Sequence, residues 1–390
     1  MKRTTGTYAL STTAGESVRA FIPHPLPPRP PLKIDRRIAE RLRSAHLTLA
    51  RLDVASRMVP SPGWFIYGFV RKEAVLTSQI EGTQATLIDL FEQEGKDGVS
   101  ARQGDVQEVC NYLEALEYAR GQIGSRDGLP ISLRLLREAH RRLLKGARGA
   151  GKEPRQFRRS QNWIGGTRPG NAAFVPPPPS KVMECLSSLE KYIHGTESLD
   201  PLVRIALIHV QFETIHPFLD GNGRLGRLLI ALLLEEWKIM HEPLLYISLY
   251  LKRHRAEYYA RLSDVRRTGD WEGWISFFLE GVETSAEEAT LTAEQLYRLV
   301  ERDREKLLRR RGASVAAVAL LQRLGDNPIL NVARATRLLK TTKPTAAKAI
   351  SALIGAGILK ETSGKRRGRT FAYERYLNIL KKGTELEGRR

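Results

Sequence analysis

The sequence predicts a mainly α-helical protein that carries one small β-hairpin in its middle and a second one near its C-terminus. Apolar residues recur at three- and four-residue spacing from Ile34 onward, which is the period of helices with one buried face. Glycines, prolines and β-prone residues cluster only in short segments, and no series of alternating strands and helices surrounds them. At 390 residues, the chain is long enough for two or three domains.

The first predicted elements are an extended segment and a set of helices. Prolines crowd residues 23–32, and they remove amide donors and fix φ, so this segment should run extended over its own domain. Recognition by an SH3-type domain is the alternative. The helical period is clearest over residues 36–52, 106–119 and 133–144, and the mostly apolar run over residues 202–215 predicts a buried helix.

Residues 157–179 interrupt the helices. Their sequence combines a Gly-Gly pair and a Pro-Gly-Asn turn signal with short β-prone flanks, which predicts an exposed β-hairpin, called the flap below. Further on, the charged residues 286–311 predict a helical connector.

Residues 313–380 have the pattern of three helices followed by a hairpin, which is typical of a winged helix-turn-helix. In the third helix, Pro344 suits the first turn, and four apolar residues are expected to face inward. These residues are Ala347, Ile350, Leu353 and Ile354.

The positive charge of the chain is concentrated in the same region. Residues 311–390 hold 17 lysines and arginines against 5 acidic residues, so they supply 12 of the net +20 charges. Such a surface suits DNA phosphates, although a winged helix can also serve protein contact or dimerisation. The hairpin that follows the third helix is called the wing. The predicted DNA-facing residues of the third helix and the wing are Lys343, Thr345, Lys348, Ser351, Lys365, Arg366, Arg367 and Arg369.

Composition argues against other classes of protein. Cys110 and Cys185 are the only cysteines, which predicts neither a disulfide framework nor a zinc site, and a reducing cytoplasm fits best. No signal peptide and no apolar run of membrane length is visible, so we expect no membrane association.

The densest cluster of reactive residues is HPFLDGNGRLGR, residues 216–227. Its letters G-N-G-R-L-G fit the dinucleotide fingerprint, but that reading needs a preceding strand and βαβ units, and a buried helix is predicted there instead. The Walker pattern that ends in Lys-Ser or Lys-Thr is absent as well.

The same residues make chemical sense as a base beside an anion site. Pro217 disfavours helical geometry at His216, so the helix should end there and leave an imidazole able to accept a proton. Gly221 and Gly223 allow backbone N–H groups to turn towards an anion at the start of the next helix. Four further side chains serve this site. We expect Arg224 and Arg227 to bind phosphate oxygens, Asn222 to donate its amide to another, and Asp220 to hold Mg²⁺.

This segment resembles the Fic signature, HPFx(D/E)GNGRxxR, at every specified position. The resemblance extends over roughly residues 20–290 and implies a Fic-type helical bundle that transfers AMP from ATP to a Tyr, Thr or Ser hydroxyl of a protein. It assigns His216 as the base, Asp220 as the Mg²⁺ ligand, and the residues from Gly221 to Arg227 as the ATP site. Those residues are Gly221, Asn222, Gly223, Arg224, Leu225, Gly226 and Arg227. Arginine at position 224, where kinase-like relatives have lysine, favours adenylyl transfer over phosphorylation.

The resemblance also implies two surfaces around the site. Adenine is expected beside the helix that follows the signature, where Arg253, Tyr258 and Tyr259 are candidates. The flap is expected to dock the target by strand addition. Its docking residues would be Asn162, Trp163, Ile164, Gly165, Phe174 and Val175.

TSQIEG, residues 77–82, resembles the inhibitory motif of the family, (S/T)xxxE(G/N). Thr77 and Glu81 share a helix face, and Gly82 suits the helix stop. In relatives, the equivalent glutamate pairs with the last arginine of the signature, here Arg227. Such a pair would misplace ATP for attack.

Together these segments predict five parts and leave the direction of the reaction open. The parts are an N-terminal region 1–95 with the inhibitory helix at about 70–82, a catalytic core 96–285, a linker 286–312, a winged helix 313–380 and a basic tail 381–390. An autoinhibited AMP transferase is the main expectation. A DNA-binding regulator that uses the fold as a nucleotide sensor or homodimer platform, and an enzyme that removes AMP, are the alternatives.

Overall fold

The computed structural model describes residues 3–58, 62–95, 104–310, 314–364 and 368–386. The chain forms two compact units, each made of segments that are distant in sequence. The first comprises Met1–Ala50, Asn111–Pro243 and Tyr250–Thr284, and the second comprises Arg51–Cys110, Leu244–Leu249 and Ser285–Arg390.

Helices dominate both units, which confirms the mainly α fold class. In chain order the elements are β1 (Gly6–Thr13), β2 (Glu16–Pro23), α1 (Arg36–Met58), α2 (Pro62–Ile80), α3 (Leu87–Gly95), α4 (Asp105–Ile123), α5 (Leu133–Leu143), α6 (Pro179–His194), α7 (Pro201–Ile215), α8 (Asn222–Glu236), α9 (Ser248–Arg253), α10 (Arg255–Thr268), α11 (Trp271–Leu308), α12 (Val315–Leu321), β3 (Ile329–Asn331), α13 (Val332–Leu339), α14 (Lys343–Gly355), β4 (Lys360–Glu361), β5 (Thr370–Ala372) and α15 (Glu374–Leu380). The segment predicted as a connector is the second half of the 38-residue helix α11.

The first unit opens with an antiparallel hairpin that the sequence analysis did not predict. Strands β1 and β2 pair in register from Gly6 opposite Pro23 to Thr13 opposite Glu16. Ala14 and Gly15 both have positive φ, as a two-residue turn between twisted strands requires. The Phe21 amide donates to the Val175 carbonyl at 2.9 Å, so the hairpin joins the flap. The proline-rich segment follows β2 without helix or strand, as predicted.

Helix α7 forms the centre of the first unit. Every residue from Leu202 to Ile215 except Arg204 is buried, which confirms the predicted buried helix. Helix α8 packs against it closely at Gly226, where an added Cβ would lie 2.5 Å from Glu213 Oε1 and 3.2 Å from Phe212 Cδ1. Gly226 therefore allows the two helices to approach closely.

The second unit combines helices α2 and α3 with the elements that follow residue 314. Helices α12, α13 and α14 are each preceded by a capping side chain, from Ser314, Asn331 and Thr342. The three strands form an antiparallel sheet in the order β3-β5-β4. Residues 314–380, which hold these elements and α15, are called the C-terminal module below.

One predicted face of α14 is partly wrong. Ile350 and Leu353 are buried as expected, but Ile354 is 39% exposed and Ala347 is half-buried. Ala346 and Ala349 are buried on this face in place of Ala347 and Ile354. Small alanines suit this face because α12 and α13 both pack against α14.

Among the described residues, no helix is long and apolar enough to cross a membrane.

Candidate active site

His216 lies at the end of α7, where the sequence predicts the helix to stop. Its backbone is left-handed, with φ 47° and ψ 61°, and its amide donates to the Phe212 carbonyl at 3.0 Å. A residue other than glycine in this region is strained by about 1–3 kcal/mol, and such strain persists where surrounding contacts enforce it. The imidazole is half-buried at the mouth of the loop that follows.

The loop between His216 and α8 is closed by Asn222. Its side-chain oxygen accepts from the Phe218 amide at 2.9 Å, and its NH₂ group donates to the Phe218 carbonyl at 2.8 Å. Only 2% of Asn222 is exposed. The expectation that this amide donates to a phosphate is therefore corrected: the side chain shapes the loop, because it is buried within it.

Helix α8 begins beside this loop, at Asn222. Gly221 precedes it with φ 78°, a conformation that favours glycine. The amides of the first helical turn, at Asn222 and Gly223, lack intrahelical acceptors and give the helix start a positive end. Gly223 is half-exposed, whereas Leu225 is buried in the core. This arrangement suits an anion at the start of α8.

Two arginines of α8 bring positive charge to the same place. Arg224 is 2% exposed and Arg227 is 1% exposed. The Arg224 Nη2 atom lies 3.4 Å from Asp220 Oδ1. Both guanidinium groups therefore lie within the protein at the start of α8, and guanidinium groups suit phosphate oxygens as ligands.

Asp220 projects from the loop with about a third of its side chain exposed. Its Oδ1 accepts from the Gly221 amide at 2.5 Å, and its Oδ2 faces Gly149, where an added Cβ would lie 2.6 Å away. No cluster of three His, Cys, Asp or Glu residues suited to a metal occurs in the described part of the chain. One partly exposed carboxylate fits Mg²⁺ when nucleotide phosphates supply further oxygen ligands.

His140 of α5 forms a hydrogen bond to the loop between His216 and α8. Its Nδ1 accepts from the Arg155 amide at 3.0 Å, so the proton is on Nε2, which donates to the Asp220 carbonyl at 2.9 Å. The ring stacks on Phe218 with a centroid separation of 3.8 Å. Burial lowers the pKa of His140 to about 4, so the imidazole stays neutral at pH 7.

Arg158 joins the signature to both ends of the flap. Its Nε donates to the His216 carbonyl at 2.9 Å, and its backbone amide donates to the Pro217 carbonyl at 2.9 Å. Its Nη2 donates to the Pro177 carbonyl at 2.5 Å and more weakly to the Ile215 carbonyl at 3.4 Å. The side chain is 2% exposed, and burial lowers its pKa to about 10, which leaves it charged at pH 7.

The flap is a minimal hairpin. Ile164 and Phe174 exchange two backbone hydrogen bonds, of 2.8 and 3.1 Å, and these residues form one antiparallel bridge. On one side Val175 accepts from β2, and the Phe174 ring packs beneath the Arg266 guanidinium at 3.9 Å. Gly165 is exposed, and the other predicted docking residues are half-buried. These are Asn162, Trp163, Ile164, Phe174 and Val175.

The three adenine candidates lie in different environments. Tyr258 is 1% exposed, and its hydroxyl lies 2.9 Å from Nε2 of His209. His209 Nδ1 lies 3.2 Å from the Gly226 carbonyl, so this ring also belongs to the core. The expectation for Tyr258 is therefore corrected, since its ring has no free face for adenine. Tyr259 and Arg253 are exposed.

The segment predicted as the inhibitory motif, residues 77–82, spans the end of α2 in the second unit and the turn that follows it. The helix stops at Ile80, and Gly82 has φ 94°, as expected for a glycine stop. The amides of Glu81 and Thr83 both donate to the Ser78 carbonyl, at 3.0 and 3.2 Å. Thr77 is buried and Glu81 is half-buried.

Some of the predicted DNA-facing residues are exposed, and three of them lie outside the described residues. Lys343, Lys348 and Ser351 are exposed on α14, whereas Thr345 is half-buried next to Thr342. Arg369 is exposed and lies 3.3 Å from Glu361. Lys365, Arg366 and Arg367 lie outside the described residues.

Comparisons with known proteins agree with this geometry. Residues 130–234 match the model of the Fic/DOC family, and residues 39–121 match the model of the Fic/DOC family N-terminal region. Protein adenylyltransferase fic-1 of Caenorhabditis elegans is 31% identical over 180 residues, which are 46% of this chain and 32% of that protein. Protein adenylyltransferase Fic of Culex quinquefasciatus is 30% identical over 178 residues, 45% of this chain and 32% of that protein. The chain therefore matches about a third of the length of these curated relatives.

A solved structure supports the fold over most of the chain. The crystal structure of a Fic family protein from Desulfovibrio desulfuricans G20 superposes with a TM-score of 0.56 and 21% identity, covering 88% of this chain and 98% of that one. A Fic domain containing signaling protein from Bacteroides thetaiotaomicron VPI-5482 gives a TM-score of 0.50 at 17% identity, covering 65% of this chain and 98% of that one.

The fold and the site thus define a class of helical proteins in which a histidine ends one buried helix and an anion-binding loop starts the next. The two family matches identify that class: the chain contains a Fic/DOC family N-terminal region at residues 39–121 and a Fic/DOC family domain at residues 130–234.

Proposed function

We propose that this protein transfers AMP from ATP to a Tyr, Thr or Ser hydroxyl of a protein. The observation that carries the proposal is that His216, the loop to Gly221 and the start of α8 with Arg224 lie together, next to the partly exposed flap. The curated relatives, which are named protein adenylyltransferases, support the same activity.

In the proposed reaction, His216 removes the proton from the target hydroxyl. The hydroxyl oxygen then attacks the α-phosphorus of ATP, and the bond from that phosphorus to the oxygen bridging to the β-phosphate breaks. AMP becomes esterified to the protein, and pyrophosphate leaves. A histidine suits this step because it exchanges protons near neutral pH.

The α8 start and its arginines hold the triphosphate in this proposal. The free amides at Asn222 and Gly223 face the α- and β-phosphates, and Arg224 and Arg227 bind the β- and γ-phosphates. Asp220 would hold Mg²⁺, which neutralises phosphate charge when it is bound. His140 fixes the Asp220 backbone and thereby places its carboxylate.

The flap would dock the target as an added strand. The edge at Val175 already accepts from β2, so the opposite edge, formed by residues 162–165, is the one on which a target strand is expected to pair. Main-chain pairing there would bring a hydroxyl towards His216 with little demand on the target sequence.

Glu81 is proposed to restrain this activity. Its carboxylate would pair with Arg227, which then cannot bind the γ-phosphate, and ATP would bind with its α-phosphate misplaced for attack. The turn after α2 is consistent with the proposal, since it places Glu81 directly after the last helical residue and before Gly82, which has φ 94°.

Mass spectrometry tests the transfer and finds its target. Cells that express Glu81→Gly should contain peptides carrying one AMP on Tyr, Thr or Ser. Cells that express Glu81→Gly with His216→Ala should lack them. AMP-modified peptides at equal abundance in both samples would refute the role of His216.

The C-terminal module supports a second proposed function, DNA binding by a winged helix-turn-helix. Three helices, a three-stranded sheet and the exposed Lys343 and Lys348 on α14 favour it. In the full chain, Lys343→Ala with Lys348→Ala should weaken binding to duplex DNA and reduce its salt dependence by about two phosphate contacts. The matched control removes two exposed lysines from α6, with Lys181→Ala and Lys191→Ala. Equal loss in both double variants would refute a specific role for α14.

A further inference from the structure

Helix α2, which ends directly before Glu81, contacts the C-terminal segment of its own unit along its length. We propose that α15 and the residues just after it position the inhibitory glutamate, so that the C-terminal module sets the degree of inhibition. This inference rests on the proposed function of Glu81, and it adds the element that controls Glu81.

The first contact lies at the start of α2. Trp64 packs on Gly325 so closely that an added Cβ at 325 would overlap the indole. The Tyr376 hydroxyl of α15 lies 3.4 Å from the Trp64 carbonyl and 3.3 Å from the Gly325 carbonyl. Trp64 and Tyr376 are both buried, so this contact excludes water.

The second contact lies near the middle of α2. Gly68 is buried against Leu380, the last residue of α15, and an added Cβ at Gly68 would lie 2.9 Å from Leu380 Cδ2 and 3.2 Å from Cδ1. The absence of a side chain at 68 is what allows α15 to lie directly on α2. Leu380 itself is fully buried.

The third contact lies within the inhibitory motif. The NH₂ group of Gln79, two residues before Glu81, donates to the Ala85 carbonyl at 2.9 Å and to the Thr384 carbonyl at 2.9 Å. The first bond closes the turn that follows α2, and the second ties that turn to the chain after α15. Thr384 is buried, and its hydroxyl donates to the Lys381 carbonyl at 2.7 Å, which holds its own backbone in place.

A second route connects the C-terminal module to α2 through α3. Glu94 of α3 accepts from the guanidinium of Arg71, on α2, with a shortest distance of 2.8 Å. The Glu94 carbonyl accepts from Arg334 of α13, whose Nε also donates to Asn327 at 2.7 Å. The module thus contacts α2 directly through α15 and indirectly through α3.

These contacts have a mechanical consequence. Helix α2 cannot rotate or shift along its axis without displacing α15 or breaking the Gln79 bonds, because packed helices adopt discrete arrangements. A ligand of the C-terminal module that favours one arrangement would therefore change how often Glu81 occupies its inhibitory position. Inhibition and the module's own binding function would be coupled.

Two single substitutions in the full chain test this coupling, each with a matched control. Gly68→Ala pushes Leu380 away, and its control is Gly121→Ala in α4, where an added Cβ meets nothing within 4 Å. Gln79→Leu removes both donors at similar size, and its control is Gln295→Leu, which replaces an exposed glutamine on α11. Each variant is made with Glu81 present and in the Glu81→Gly background, and AMP transfer from α-labelled ATP is measured together with thermal unfolding.

With Glu81 present, Gly68→Ala and Gln79→Leu are expected to increase AMP transfer, by about tenfold for the two hydrogen bonds of Gln79. In the Glu81→Gly background they should change it less than twofold, because no inhibitor remains to be positioned. A variant that merely destabilised the protein would lower transfer in both backgrounds. The controls should leave transfer unchanged in both.

The outcomes separate this inference from the proposed function. If Glu81→Gly transfers AMP strongly while Gly68→Ala and Gln79→Leu transfer no more AMP than the parent chain, the proposed AMP transfer is supported. Control of Glu81 by the C-terminal module is then refuted. If Glu81→Gly itself gives no labelling above His216→Ala, the proposed function fails, and the inference fails with it.

Discussion

Replacing Arg158 by lysine should separate nucleotide binding from catalysis. The guanidinium of Arg158 donates to the carbonyls of His216, Pro177 and Ile215, and its Nη1 lies 3.3 Å from the Ser160 carbonyl. A lysine ammonium is a single donor point on a flexible stem, so it cannot span these acceptors. At least two buried carbonyls would lose their partner.

The magnitude follows from these contacts. Each buried carbonyl left without a donor costs about 1–3 kcal/mol, so Arg158→Lys should lower the free energy of unfolding by about 2 kcal/mol or more. The left-handed His216 backbone would lose its main restraint, and the flap would lose its tie to the base. A displacement of about 1 Å at a reacting group can reduce a rate by about 100-fold. We therefore expect kcat for AMP transfer to fall by about 100-fold.

The assay uses the Glu81→Gly background, in which transfer is measurable, below the unfolding temperature of the variant. KM for ATP should change less than threefold, because Arg158 contacts the base and the flap rather than the start of α8. Arg159→Lys is the matched control, since the neighbouring Arg159 is exposed and should have no effect. A kcat within twofold of the parent value, or a change in KM for ATP alone, would show that Arg158 does not position His216 and the flap for AMP transfer.

Two further predictions concern the support of the signature loop. Gly149→Ala should raise KM for ATP and Mg²⁺ by about tenfold or more, because its Cβ would meet Asp220 Oδ2 at 2.6 Å. The control is Gly146→Ala, at a glycine that also has positive φ but has open space around it. This control should add only backbone strain and should not raise KM in the same way. Equal KM values in the two variants, measured by steady-state kinetics, would contradict this. His140 has a folded pKa depressed to about 4, so its contribution to stability is present above pH 6.5 and is lost as pH falls towards 4, by about 3 kcal/mol. His140→Gln should flatten that part of the pH profile of denaturant unfolding, and an unchanged slope would show that His140 does not titrate there.

The helical elements were predictable because their apolar faces repeat over long segments. Residues 202–215 predicted a buried helix, and α7 has that character. Pro217 predicted the stop before His216, which the structure confirms, although the left-handed backbone at His216 depends on tertiary contacts such as that with Arg158. Local sequence preference cannot reveal such a restraint.

The β1–β2 hairpin escaped prediction because its residues are mostly small and polar. Leu10 is 80% exposed and Tyr8 is 52% exposed on β1, whereas the half-buried face of the strand carries Ala9, Ser11 and Thr13, so the large apolar residues lie on the outer face. Its stability comes from β2, whose Phe21 packs against Phe174 of the flap. That contact joins residues 153 positions apart, which no local pattern reports.

The residues that support the site were missed for related reasons. His140 follows the apolar face of α5 and looks like a core histidine, which it is, although it also holds the Asp220 carbonyl. Gly149 lies in a glycine-rich turn with no periodicity, and only its approach to Asp220 reveals its role. Tyr258 was misassigned because an aromatic residue near a signature fits a ligand surface and a core equally well.

The most direct test of the central claim compares three full-length proteins incubated with α-labelled ATP and Mg²⁺. We expect weak AMP transfer by the parent chain, transfer at least tenfold stronger by Glu81→Gly, and none by His216→Ala, while all three proteins unfold cooperatively. Equal labelling in the three proteins would contradict both the role of His216 as the base and the restraint by Glu81.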